Sequence, residues 1–171
     1  MIKIAPPHMK TLLIVYHSMT GGTAQMAQAA LEGARTETEI QTTLLHADNA
    51  DAQAVLKADG YLFMTPENLA AVSGRMKDFF DRSYYGVLGR INGRPFAVAV
   101  CAGSDGSNAV RQIQRIATGW RLNEVAPPLI VCTHAQSTEV ILQAKQITDA
   151  DLQRCRELGE ALACGLAAGV F

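Results

Sequence analysis

The chain is poor in aromatic residues, in charge and in clustered metal ligands. Only 6% of its residues are aromatic and 18% are charged, and the formal net charge is −1. A near-neutral chain offers no basic stripe for nucleic acid and no polybasic patch for an anionic membrane. It also lacks the strong acidity of a protein that docks on basic partners. The four cysteines, Cys101, Cys132, Cys155 and Cys164, match no CxxC or zinc spacing. The four histidines, His8, His17, His46 and His134, form no ligand-spaced pair, so no metal is expected. No apolar run reaches transmembrane length, and no signal-peptide pattern opens the chain. A cytoplasmic protein with reduced thiols is the expectation. Two phosphate-binding signatures are missing as well. There is no Gly-x-Gly-x-x-Gly, and no glycine loop ends in Lys followed by Ser or Thr. The first strand ends in Tyr16-His17-Ser18 without an acid, unlike a phosphoryl-accepting regulatory domain.

What is present is apolar. Hydrophobic residues make up 49% of the 171, enough for a sizeable core in one domain. Pro6 and Pro7 block regular structure near the start, so residues 1–10 read as a flexible tail and 11–171 as a single domain. Leu12 to Tyr16 is an unbroken apolar run, as in a strand buried on both faces. Thr23 to Arg35 carries Ala27, Ala30, Leu31 and Ala34 at helical spacing. Ile40, Thr42 and Leu44 alternate like a half-exposed edge strand. Gly60 to Met64 is a second buried strand ending at Thr65-Pro66, and Pro95 to Cys101 a third. Helices are expected over Asp51 to Lys57, around Val72 to Phe80, over Ser107 to Trp120 and over Asp149 to Gly169. Leu129 to Val131 ends a fifth strand. Thr133 to Ile147 reads as a loop, or as a short strand around Val140 to Leu142. Repeated strand–helix alternation implies a three-layer, doubly wound α/β fold with a parallel sheet covered on both faces.

The strongest local signal is Ser18-Met19-Thr20-Gly21-Gly22-Thr23, between the first strand and the first helix. Backbone N–H groups at a helix start attract an anion, aided by the helix dipole. Gly21 and Gly22 permit a sharp turn and close approach. Ser18, Thr20 and Thr23 supply hydroxyl donors. The other reading of this segment is a turn whose Ser or Thr merely caps the helix.

The segment resembles the flavodoxin phosphate motif Ser/Thr-x-Thr-Gly-x-Thr at the same point of the chain. Ser73-Gly74-Arg75-Met76-Lys77-Asp78-Phe79-Phe80-Asp81 is similar to the Gly-x-Met-Lys-x-Phe-x-Asp helix of flavodoxin-like NAD(P)H:quinone oxidoreductases. The resemblance spans most of Thr11 to Trp120 and implies membership of the flavodoxin-like superfamily, which includes flavodoxins and NADPH-dependent FMN reductases. It implies a five-stranded parallel sheet of order 2-1-3-4-5 and FMN at the carboxyl ends of the strands. Ser18, Met19, Thr20, Gly21, Gly22 and Thr23 would hold the phosphate. Thr65, Pro66, Glu67, Asn68 and Leu69, with Ala102, Gly103, Ser104 and Asp105, would meet the isoalloxazine ring. Read as ordinary sequence, Glu67 and Asn68 are also plain turn residues, and Asp105 or Ser107 a helix cap.

There are departures from the family pattern. Electron-carrying flavodoxins sandwich the ring between aromatic side chains of the second and third loops, and neither loop here has one. FMN reductases often read Ser-Pro-Glu-Tyr-Asn where this chain reads Thr65-Pro66-Glu67-Asn68. Tyr84 and Tyr85, after the helix, are the nearby aromatics that are left. An open ring face suits an NAD(P)H-dependent enzyme with a quinone or flavin as acceptor, and the flavin, not a catalytic side chain, would carry the chemistry. The alternative is a flavodoxin-type electron-transfer protein. The resemblance also implies a homodimer or homotetramer.

Overall fold

The computed structural model describes residues 9–171. The expected tail therefore lies outside the described residues, apart from Met9 and Lys10. Lys10 is tied down: its Nζ donates to Leu166 O at 2.7 Å, and its carbonyl accepts from Gln41 N at 2.8 Å.

Strand β1 (Thr11–Tyr16) runs into helix α1 (Gly22–Ala34), and β2 (Gln41–His46) follows as an edge strand. Helix α2 (Ala52–Lys57) starts at Asp51, whose side chain accepts from Ala54 N. Strand β3 (Gly60–Asn68) turns back through β4 (Ala71–Val72) into α3 (Gly74–Val87), which Ser73 caps by accepting from Met76 N. Then come β5 (Pro95–Ala102), α4 (Ser107–Gly119), β6 (Asn123–Glu124) and β7 (Leu129–Cys132). A short helix α5 (Thr138–Leu142) and a long α6 (Asp149–Ala168) complete the chain.

The sheet order is β2-β1-β3-β5-β6, with β7 also on β5 and β4 antiparallel on β3. The fifth strand is thus two pieces on one edge. Asn123 and Glu124 pair with Pro95 and Phe96, and Leu129 to Cys132 pair with Ala99 to Ala102. Pro127 and Pro128 separate the pieces, because proline has no N–H to give to a ladder. Counted as one strand, they restore the expected 2-1-3-4-5 order. A second difference is the segment Thr133 to Ile147. Its structured part is helix α5, not a strand over Val140 to Leu142.

Strand side chains alternate between faces. Leu13, Val15, Tyr61, Phe63, Val98 and Val100 point to the layer of α2, α3 and α4. The aromatics gather there: the Phe63 ring lies 5.0 Å from Phe80 and 6.2 Å from Trp120, near edge-on in both cases. Leu12, Ile14, Leu62, Met64, Ala97 and Ala99 point to α1 and α6. That layer is built from small residues, so the two helices touch backbone to backbone at Gly33 and Gly159.

Candidate functional site

The parallel strands release the chain at one end of the sheet. From β1 the chain passes to β2 on one side and then to β3 on the other. A crevice opens at such a reversal, outside the carboxyl ends of the strands. A pocket of about 510 Å³ lies there, a size that suits an organic cofactor.

Its first wall is the loop into α1. Gly21 is the N-cap residue, with φ 88° in the left-handed region that favours glycine, and no side chain caps the helix. The first amides of α1 are therefore not consumed by a side-chain acceptor, which excludes the reading of this turn as a Ser or Thr cap. Ser18 Oγ instead accepts from Gly21 N at 3.1 Å, fixing the loop from within. Thr23 is 1% exposed, and its hydroxyl has no hydrogen-bond partner among the described residues, although the Cys101 thiol lies against it. A Cβ at Gly22 would stand 2.7 Å from Cys101 Sγ, so only glycine lets the helix start sit this close to β5. Burial pushes the Cys101 thiol up to about 11, against the opposing charge of Lys145. It stays a neutral thiol in the pocket floor rather than a nucleophile.

The second wall differs from expectation. Strand β3 does not end at Thr65-Pro66 but continues to Asn68, pairs with β4, and turns at Leu69-Ala70. Both turn residues have positive φ, 50° and 60°. A two-residue hairpin turn of this kind normally takes Asn-Gly. Here an exposed leucine and an alanine hold left-handed backbone, each at about 1–2 kcal/mol. Strain of this sort collects at binding sites. We expect Leu69→Asn with Ala70→Gly to stabilise the ligand-free protein by about 1–2 kcal/mol, read as a higher urea midpoint. No change would mean that the turn is not strained.

Pro66, Glu67, Asn68 and Leu69 line the pocket, and Glu67 Oε2 is buried there without a donor among the described residues. Ala102 and Gly103 form the third wall. Of the residues anticipated from sequence, Ser18, Met19, Thr20, Gly22 and Thr23 also line it, whereas Gly21, Thr65, Ser104 and Asp105 do not. Gly21 shapes the turn. Thr65 is fully buried, its hydroxyl within 3.2 Å of Ser73 Oγ. Ser104 and Asp105 face solvent, and Asp105 accepts from the Ser107 hydroxyl at 2.7 Å. Neither Asp105 nor Ser107 caps α4, because Gly106 takes that position in left-handed conformation.

The fourth wall was not anticipated. Thr133, Ala135, Ile141, Leu142 and Lys145 close the pocket from the segment around α5. Gln25 of α1 holds that segment: its Nε2 donates to Lys145 O at 2.7 Å, and its Oε1 accepts from Ile147 N at 3.2 Å. Lys145 N donates in turn to Thr20 O at 2.8 Å. Lys145 Nζ donates to the carbonyls of Val140, Ile141 and Gln143, so this cation of the pocket lining also secures the end of α5.

The model of NADPH-dependent FMN reductases matches residues 9–137 of this sequence, which include three of the four walls. The chain belongs to that family. Among curated relatives, a flavodoxin from Aquifex aeolicus is 37% identical over 60% of this chain and 56% of its own. An NAD(P)H dehydrogenase (quinone) from Acidithiobacillus ferrooxidans is 33% identical over 44% of this chain and 48% of its own. The chain spans about half the length of the curated relatives it matches. Among solved structures, an archaeal flavodoxin superposes with a TM-score of 0.73 at 18% identity, covering 91% of this chain and 98% of that one. A WrbA-like flavodoxin from Agrobacterium tumefaciens superposes with a TM-score of 0.69 at 23% identity, covering 94% and 98%. At these identities the structures establish the flavodoxin-like fold.

Among the described residues no aromatic side chain lines the pocket; its rim carries Met19, Leu69, Ile141 and Leu142, all exposed. Tyr84 and Tyr85 do not supply the missing rings. They lie inside α3, not after it, with ring centroids 5.1 Å apart, and neither lines the pocket. Sequence spacing also missed a histidine pair. The His17 and His46 rings are 5.5 Å apart, and His17 Nδ1 shares a hydrogen bond with Ser73 Oγ at 2.8 Å. Burial, then the neighbouring His46, lowers the His17 pKa below the ordinary 6.5, with Asp48 pulling the other way. A neutral His17 cannot offset a phosphate charge. The unfolded chain holds this proton more tightly than the folded one, so stability rises with pH and falls as pH drops below about 6.5. His17→Asn should flatten that slope in urea titrations between pH 7.5 and 5; an unchanged slope would place its origin elsewhere.

Proposed function

We propose that this pocket binds FMN and that the protein works as an NAD(P)H-dependent oxidoreductase, passing electrons to quinones or flavins. The observation that carries the reading is the uncapped α1 start, with Thr23 Oγ1 buried in a ring-sized pocket and, the neighbouring Cys101 thiol aside, without a partner among the described residues. An anion is what such a helix end lacks. Ser18, Thr20 and Thr23 would bind the phosphate with hydroxyls beside the α1 amides. The backbone of Pro66 to Leu69 and of Ala102-Gly103 would meet the ring edge, and Glu67 Oε2 would accept from a ring N–H. Gly21 and Thr65 would support these loops from behind, and Asp105, exposed beside Ser104, would brace the third loop through the Ser107 hydroxyl. When bound, FMN supplies the hydride and electron chemistry. The aliphatic rim excludes water yet adds no stacked aromatic, which leaves one face accessible to a flat donor or acceptor.

Dimer or tetramer formation and a cytoplasmic location belong to the same reading. Exposed Tyr85 and Leu88 at the end of α3 support the first. Among the described residues, no helix is long and apolar enough to cross a membrane.

The test is steady-state oxidation of NADH and NADPH by the FMN-loaded protein with a benzoquinone or free FMN as acceptor. Sustained turnover is expected. No oxidation with FMN still bound would overturn the enzyme reading. It would favour the electron-transfer role that the Aquifex aeolicus relative's name carries.

A further inference from the structure

A second pocket, of about 490 Å³, shares the β3–β4 hairpin with the first. Pro66 to Leu69 line the first pocket, whereas Ala71 and Val72 line the second. The remaining walls are the start of α3 and one side of α4. Helix α4 begins four residues after Gly103 of the first pocket. At 1.5 Å per residue, Arg111 and Arg115 stand about 6 and 12 Å along its axis from Ser107. Neither arginine lines the first pocket.

The chemistry of this pocket is specific. Arg111, Arg115 and Lys77 line it, and among the described residues no carboxylate does. Lys77 is already held by Asp81 at 2.7 and 2.8 Å. Arg111 and Arg115 make no hydrogen bond or ion pair among the described residues. Like charges one helical turn apart oppose helix formation, so nothing within the fold accounts for the pair. In a chain of net charge −1 they are a local excess, not part of a general basic surface. Two guanidinium groups present parallel forks of donors that match phosphate oxygens. Val72 and Ile116 give an apolar floor. Asn108 Nδ2 donates to Ala70 O at 2.6 Å, and Gln112 Oε1 accepts from Val72 N at 2.8 Å. The other end of each amide, Asn108 Oδ1 and Gln112 Nε2, makes no bond among the described residues and complements the edge of a purine.

We propose that this pocket takes the 2′-phosphoadenosine half of NADPH. The phosphate monoester lies on Arg111 and Arg115, and the adenine lies against Val72 and Ile116. The nicotinamide then reaches over the hairpin to the first pocket, so this inference rests on the proposed function for its biological meaning. It assigns the choice of NADPH over NADH to two side chains that touch neither the FMN pocket nor the core.

The experiment uses the full chain loaded with FMN, and the variant Arg111→Gln with Arg115→Gln. Glutamine keeps helix propensity, and both sites are exposed, so the melting temperature should not move. Binding of adenosine 2′,5′-bisphosphate is measured by calorimetry beside ADP, which lacks the 2′-phosphate. Turnover with NADPH and NADH is measured in parallel. The expected result is bisphosphate binding to the parent, at least about tenfold weaker in the variant, with ADP weak in both. KM for NADPH should rise by the same factor while KM for NADH and FMN retention stay unchanged. No bisphosphate binding by the parent, or equal binding by parent and variant, overturns the assignment. So does equal loss of both nucleotides. Bisphosphate binding that depends on the arginines, without any NADPH oxidation, would support this pocket and remove the proposed activity. NADPH oxidation unaffected by the variant would do the reverse.

Discussion

Replacing Gly159 by alanine will lower the melting temperature by about 6–12 °C, taking about 3 kcal/mol at the 2–4 °C per kcal/mol typical of a chain this long. The added Cβ would stand 2.0 Å from Ala30 O and 2.8 Å from Ala30 C. These are backbone atoms of a helix, not the end of a side chain that can turn aside. Gly33 has the mirror contact, 1.9 Å from Arg156 O. The α1–α6 layer therefore closes on two glycines, and one methyl group forces the helices apart along their length. Because α1 carries the proposed phosphate loop at its start, its displacement should also weaken ligand binding. Gly119→Ala is the control. Nothing lies within 4 Å of its added Cβ, so the helix gains up to about 1 kcal/mol. Thermal denaturation of the two variants beside the parent decides the matter. Equal small shifts for both would mean that the helices have room to slide.

Replacing Thr20 by aspartate should move stability and binding in opposite directions. Thr20 lies just before the N-cap of α1, lines the pocket, and is partly exposed. A carboxylate there meets the positive end of the helix dipole and stabilises the ligand-free protein by about 0.3–1 kcal/mol. Its main-chain bond to Lys145 N does not depend on the side chain. Against a bound phosphate the same charge is repelled by about 4 kcal/mol at 4 Å and an effective dielectric of 20, or about a thousandfold in affinity. Fluorescence titration with FMN, beside a melting curve without it, reads both effects. If the loop were only a turn, aspartate would stabilise the protein and leave FMN titration unchanged.

The parts of this molecule that were legible in the sequence share a local cause. Leu12 to Val15, Tyr61 to Met64 and Phe96 to Val100 are buried on both faces, so they are apolar without interruption. The loop Ser18 to Thr23 was legible as a wall of the pocket because its glycines and hydroxyls are neighbours in the chain. What stayed hidden depends on contacts between distant segments. Leu69-Ala70 has none of the turn chemistry of its hairpin, so β3 read as ending at Thr65-Pro66 instead of at Asn68. The wall around α5 has almost no burial of its own and is held by Gln25, about 120 residues away. His17 meets His46 because β1 and β2 are in register with Tyr16 opposite His46, which no spacing rule reveals. Strand β6 is two exposed polar residues, recognisable only from its pairing with β5.

The central claim is that the pocket at the strand ends holds FMN by its phosphate. The visible absorption spectrum of the purified protein, recorded before and after adding FMN and gel filtering, tests it most directly. We expect flavin bands that travel with the protein at one FMN per chain, and riboflavin, which lacks the phosphate, to be left behind. A colourless protein that returns all the added FMN, or one that retains riboflavin equally well, would contradict the assignment of Ser18 to Thr23 as the phosphate site.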